Sequence, residues 1–223
     1  MSTPLLRISG LKVAVEGIVL KESVSFVAEP GKAVRITGRN GTGKTTLIKT
    51  ILGIQPRSTG EVHFGIPMVL GDSVSYFPQA WGDSLLPWMN AWENILVGTL
   101  NSSSSSLGKL IGKLCCQFFP ELTTQICFDN TSSHEILASI RKRLSVQNVT
   151  KLSGGQQEKI VILRTVICNP SLLFLDEPYR DLDYESTKDV NDYFQHFIEQ
   201  GNSVVYVSHQ DVGIKPDIIV SMD

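Results

Sequence analysis

The order of apolar and polar positions divides the chain into three stretches. In the first, Leu11 to Val15 and Ser23 to Val27 alternate, which predicts strands with one covered face. Glu29-Pro30-Gly31 makes a turn ahead of a third strand, Ala33 to Thr37. A glycine-rich loop, Gly38 to Gly43, follows, and Thr45 to Leu52 is helical and stops at Gly53. Further strands are predicted at Glu61 to Phe64 and Val74 to Phe77. The middle stretch is helical: Asn90 to Leu100, Leu107 to Phe119 and His134 to Leu144. A serine run, Asn101 to Ser106, reads as a flexible surface loop. The last stretch alternates again, with helices over Gly155 to Cys168 and Tyr184 to Glu199. Its strands are Leu172 to Leu175, Ser203 to Val207 and Ile218 to Met222. Apolar strands interleaved with helices predict an α/β fold on a mostly parallel sheet covered on both faces. The helical middle is an insertion into that core.

Composition narrows the classes. Of 223 residues, 42% are apolar, enough for a sizeable core. The net charge of −2 lacks the basic balance of a dedicated nucleic-acid binder, so no nucleic-acid partner is expected. Apolar runs such as Val204 to Val207 fall far short of the roughly 20 residues that cross a bilayer. Met1-Ser2-Thr3-Pro4 has no basic region leading into an apolar one, so no secretory signal is expected. Cys115, Cys116, Cys127 and Cys168 form no C-x-x-C pair and have no histidine at zinc-ligand spacing. They are expected to be reduced, mostly buried thiols.

Two places carry chemistry. Gly38-Arg39-Asn40-Gly41-Thr42-Gly43-Lys44-Thr45 fits G-x-x-x-x-G-K-[ST] between a strand and a helix. Glycines let backbone N–H groups turn inward around phosphate oxygens, and the helix start adds its positive end. Lys44 can reach β- and γ-phosphates, the Thr45 hydroxyl can ligand Mg²⁺, and Thr46 can donate to a neighbouring phosphate. The second place is Leu172 to Pro178, an apolar strand ending in Asp176 and Glu177. A carboxylate at the carboxyl end of a central strand faces the crevice where ligands bind in such sheets. Asp176 can hold the Mg²⁺ that Thr45 also binds, directly or through water. Glu177 can orient or deprotonate a water that attacks the γ-phosphate.

Leu152-Ser153-Gly154-Gly155-Gln156 before a helix would by itself be an N-cap and turn. With the other two, it resembles the signature of the ABC ATPases, and the resemblance covers essentially the whole chain in family order. Thr37 to Thr46 matches the Walker A region, and Gln79, after Val74 to Pro78, matches the Q-loop glutamine. Leu172 to Glu177 matches Walker B with its catalytic glutamate. Leu182-Asp183 matches the end of the D-loop, and His209 matches the switch histidine.

The resemblance implies a P-loop NTPase core of about 1–83 and 160–223, with an N-terminal antiparallel β subdomain and an inserted α-helical subdomain of about 84–159. It implies catalytic roles for Glu177, His209, Gln79 and Lys44, and Mg²⁺ held by Thr45, Gln79 and Asp176. ATP would be cradled by Gly38 to Thr46, and its γ-phosphate met by Ser153, Gly154, Gly155 and Gln156 of a second subunit. The expected assembly is therefore a head-to-tail dimer, with itself or a homologue, enclosing two ATP molecules. The expected function is ATP hydrolysis that drives transport through a separate membrane-spanning subunit, from the cytoplasmic face of a membrane. Trp81, Leu85, Trp88, Met89 and Trp92 are candidates for the groove that meets that subunit, against plain core packing. The alternative is a soluble ABC ATPase of DNA repair, translation or iron–sulfur assembly. Such proteins usually carry long coiled coils or two linked ATPase domains, and this sequence has neither.

The sequence departs from the family pattern in four ways. No aromatic residue precedes Phe26, so the adenine-stacking position falls near Val13 or Val15, and looser nucleotide discrimination is expected. The D-loop reads Tyr179-Arg180-Asp181-Leu182-Asp183, where small residues are commoner. Gln157-Glu158-Lys159 replaces the more common basic pair. Only a short run follows His209, so no C-terminal regulatory domain is expected.

Overall fold

The computed structural model describes residues 3–57, 59–99, 107–119, 133–208 and 213–223. The serine run, Cys127 and His209 lie outside these residues. The chain forms two compact units. One comprises Met1–Gln79, Ser171–Pro178 and Asn191–Asp223; the other comprises Ala80–Pro170 and Tyr179–Val190.

In the first unit, β1 (Leu6–Val15) and β2 (Ile18–Ala28) form a hairpin, and β4 (Glu61–Phe64) pairs antiparallel on the other side of β1. Val15 pairs with Ile18 across Glu16 and Gly17, both at positive φ, 49° and 84°. That is the left-handed two-residue turn that matches strand twist. The register slips between Ile8 and Leu11, where Gly10 stands at φ 58° and donates its N–H to Ser25 Oγ at 2.9 Å. Both strands are longer than their alternation predicts. The slip breaks the period in β1, and Ile18, at the start of β2, is 68% exposed.

The second sheet of this unit has five strands, all parallel, in the order β5-β6-β7-β3-β8. These are β3 (Ala33–Thr37), β5 (Val74–Phe77), β6 (Leu172–Asp176), β7 (Ser203–Val207) and β8 (Ile218–Ser221). Every residue of β6 and β7 is buried, as expected of central parallel strands covered on both faces. Leu6, Ile8 and Phe26 of the small sheet join Val34, Ile36, Phe174 and Val205 of the large one in a single core. Leu47, Ile48 and Ile51 of α1 (Lys44–Ile51) complete it. Each such side chain contributes about 1.5–3 kcal/mol by burial. This core fixes the carboxyl ends of β3 and β6, from which the candidate site is built.

The second unit is helical: α2 (Ala91–Leu96), α3 (Leu107–Phe118), α4 (Ser133–Ser145), α5 (Gly154–Val166) and the first part of α6 (Tyr184–Glu199). It begins at Ala80 and takes in all of α5, where the sequence expects the helical part between about 84 and 159. A capping box starts α2: Asn90 Oδ1 accepts from Glu93 N, and Glu93 Oε2 accepts from Asn90 N, both at 2.9 Å. The helix is shorter than predicted and passes into a 3₁₀ turn, Val97–Thr99. Asn94 is fully buried and satisfied: its Nδ2 donates to the carbonyls of Leu86, Met89 and Asn90, and its Oδ1 accepts from Leu86 N. It thereby staples the loop ahead of α2 to the helix. Trp81 and Trp92 are buried, while Trp88 is 76% exposed, so the aromatic set splits between core and surface.

Candidate functional site

The loop after β3 owes its shape to three glycines in the left-handed or adjoining region, Gly38, Gly41 and Gly43, at φ 144°, 83° and 95°. A Cβ on Gly38 would come within 2.7 Å of Thr42 Oγ1 and 3.1 Å of Met222 Cβ. One on Gly41 would meet nothing within 4 Å, so the demand at Gly41 is conformational. Gly43 stands at the N-cap of α1 with no side-chain cap, which leaves the first amides of the helix for an anion. Lys44 is buried, and its Nζ donates to Gly38 O and Arg39 O, each at 2.8 Å. The Thr42 hydroxyl donates to Arg39 O at 2.9 Å.

Thr45 leaves the loop with its hydroxyl donating to Gln79 Oε1 at 3.3 Å. Asp176, at the end of β6, is fully buried, and neither carboxylate oxygen has a hydrogen-bond partner of good geometry among the described residues. Burial holds its carboxyl above the usual carboxylate range and the charge of Glu177 adds to this; the Thr45 hydroxyl, Lys49 and Lys44 act against them. Tyr76 of β5 belongs to the same place. Its hydroxyl is buried without a partner of good geometry, and burial followed by the charge of Asp176 raises its ionisation well above that of a free phenol. Tyr76 did not stand out in the sequence, because an aromatic residue in an apolar strand reads as core.

Asp176, Thr45 and Gln79 all present oxygen atoms, and the buried Asp176 carboxylate has no hydrogen-bond partner of good geometry among the described residues. That set fits a hard divalent cation such as Mg²⁺. Glu177 follows at φ 57°, left-handed for a non-glycine residue, with its N–H donating to Val207 O at 3.0 Å. The strained backbone turns the chain sharply at the end of β6.

A separate feature lies in the helical unit. Ser153 caps α5: its Oγ accepts from Gln156 N at 3.3 Å, and Gln156 Oε1 accepts from Ser153 N at 3.2 Å. Ser153 and Gly154 are exposed. Gly155 packs under the loop at 179–183, where a Cβ would lie 3.1 Å from Asp181 O. Asp183 caps α6 by accepting from Ser186 N at 2.7 Å, and this bond is the main cause that holds its carboxyl below the usual range.

A strand, a glycine loop wrapped on a buried lysine, and an acidic strand end define a nucleotide-binding P-loop ATPase. The sequence model of the family described as "ABC transporter" matches residues 21–180, and the chain belongs to that family. It is 28% identical over 206 residues to the manganese transport system ATP-binding protein MntB of Listeria innocua, covering 92% of this chain and 80% of the relative. It is 31% identical over 228 residues to the phosphonates import ATP-binding protein PhnC 2 of a Nostoc species, covering 96% and 86%. A solved structure titled "Structure of ATP binding subunit of ABC transporter" superposes with a TM-score of 0.71 over 92% of this chain and 79% of that one. At 20% identity it shows the fold alone. The chain is an ATP-hydrolysing subunit that powers transport through a separate membrane subunit. No described helix is long and apolar enough to cross a membrane itself.

Proposed function

We propose that this chain hydrolyses Mg²⁺-bound ATP in a head-to-tail dimer, on the cytoplasmic face of a membrane. The observation that carries the reading is the buried, unpartnered carboxylate of Asp176 in the same unit as the Thr45–Gln79 pair and the phosphate loop. Lys44 would exchange its two carbonyl partners for β- and γ-phosphate oxygens. The amides of Gly41 to Thr46 would cradle the phosphates. Mg²⁺, when bound by Thr45, Gln79 and Asp176, would neutralise charge developing on the transferred phosphoryl group. Glu177 would hold the attacking water, and His209 would steady the γ-phosphate. Ser153, Gly154, Gly155 and Gln156 would meet the γ-phosphate held by a second subunit, so ATP joins the two and its hydrolysis releases them.

We further propose uptake as the direction, because the phosphonate relative is named for import. The exposed Trp88 would then face the membrane subunit. The test is affinity capture of the tagged chain from detergent-solubilised membranes of its source. A stoichiometric multi-span partner is expected. Recovery of soluble partners alone would overturn the transporter reading in favour of a soluble ABC ATPase.

A further inference from the structure

Glu158 is a carboxylate in the interior of the helical unit, fully buried on α5. Its Oε2 accepts from the backbone N–H of Asp181 at 2.9 Å, while its Oε1 is buried without a partner of good geometry among the described residues. One turn earlier on α5, Gly155 passes so close to Asp181 O that a Cβ would stand 3.1 Å away. The loop Tyr179-Arg180-Asp181-Leu182-Asp183 therefore meets α5 both by close approach and through a hydrogen bond to a buried acid.

We propose that Glu158 is a positioning residue whose buried carboxyl group seats the 179–183 loop on the signature helix, and that gaining or losing a proton there tightens or loosens the seat. Burial is the main cause that pushes this carboxyl up to about 7; the charge of Asp181 adds to it, while the Asp181 amide, the Arg180 amide and the Arg180 charge pull it down. Asp83, Glu93 and Lys113, the other charged residues with described side chains on elements packed against α5, are not among the groups that shift it. An opening that exposes Glu158 returns it towards the ordinary glutamate value of 4.5, so the open loop binds fewer protons than the seated one. Opening is therefore favoured as pH rises from about 4.5 towards about 7, and levels off above that. The neutral acid seats the loop by placing its proton on the orphaned Oε1 and leaving Oε2 to accept from Asp181. The charged form leaves an ion buried with one unsatisfied oxygen.

The tie stands on geometry alone. Its consequence for turnover rests on the proposed ATPase cycle, in which this loop adjoins the signature. Two readouts on the full chain separate them. Amide exchange at Asp181, divided by its intrinsic rate, reports loop opening without any nucleotide. For the unsubstituted chain, opening should rise about tenfold between about pH 5.5 and 7. In Glu158→Gln, which is neutral throughout, it should stay level. In Glu158→Ala, which lacks the acceptor, it should be high at every pH. The ATPase rate should bend over the same pH interval in the unsubstituted chain and lose that bend in Glu158→Gln. A pH dependence of Asp181 exchange that survives in Glu158→Gln, or an Asp181 amide equally protected in Glu158→Ala, would overturn the proposal. Absence of ATPase activity in every form would overturn the proposed function instead, and the exchange measurement would still decide the tie.

Discussion

Lys44 turns back on its own loop, its Nζ donating to the carbonyl oxygens of Gly38 and Arg39 at 2.8 Å each. A buried ammonium needs such acceptors, and two carbonyls partly replace its water. They also close the loop on itself. Lys44→Ala removes the cation and that closure together. For the unsubstituted chain, ATP at one hundred times its dissociation constant should add about 2.7 kcal/mol to stability. In Lys44→Ala that gain should vanish in a melting experiment with and without nucleotide.

Asp176 sets stability against function. Its carboxylate is buried with neither oxygen in a hydrogen bond of good geometry among the described residues, which costs free energy where no cation is bound. Asp176→Asn removes the charge at nearly constant shape. Without nucleotide or metal the variant should be more stable than the parent by about 1–3 kcal/mol, read from denaturant unfolding at neutral pH. The same variant should lose the further stabilisation that Mg²⁺ gives to the ATP-bound parent. A less stable Asp176→Asn would show that the carboxylate is satisfied in the free protein.

Glu177 occupies a left-handed backbone position that glycine favours, at a cost of about 1–2 kcal/mol for a residue with a Cβ. Glu177→Gln keeps the backbone, the N–H bond to Val207 and the shape. Its melting temperature should match the parent, a change within about 0.5 kcal/mol. Its turnover should fall by about 100-fold or more, as expected when a general base is lost. Single-turnover measurement with saturating ATP separates this from weaker binding.

The stretch from Ala33 to Ile51 was legible in the sequence because its parts agree: an apolar strand, glycines where φ must be positive, and a helical period after them. Leu172 to Glu177 was legible for the same reason. The hairpin turn Glu16-Gly17 was not, since a glutamate at φ 49° is not the residue such turns favour. The early end of α2 was not predicted, and the turn that follows it packs against α5. A Cβ on Gly98 would lie 2.3 Å from Arg164 O, so the backbone of α5 passes where no side chain fits. Glu158 stood out only as part of a departure from the family pattern, and its burial was not legible, because a glutamate in a helix reads as solvated until its place on α5 is seen. Nor could spacing tell Trp88 from Trp81 and Trp92, which differ only in what covers them.

The structure sharpens the expectation about the nucleotide base. Val13 is fully buried in the core, so it offers no face for stacking, whereas Val15 is only partly buried at the end of β1. Without an aromatic platform, GTP should compete with ATP within about tenfold. Val15→Tyr should tighten ATP binding by about 1 kcal/mol or more, the low end of what base–aromatic stacking contributes. Competition against a fluorescent ATP analogue measures both, and strong ATP preference in the parent would contradict the expectation.

The central claim, that two copies or homologues close on ATP through the phosphate loop of one and Ser153 of the other, has a direct measurement. The Glu177→Gln chain, which should hold ATP without splitting it, is sized by light scattering with Mg²⁺ and ATP. A doubled mass that returns to the single-chain value when Ser153→Arg is added is the predicted result. A single-chain mass with ATP demonstrably bound, or a doubled mass indifferent to Ser153→Arg, would contradict the account.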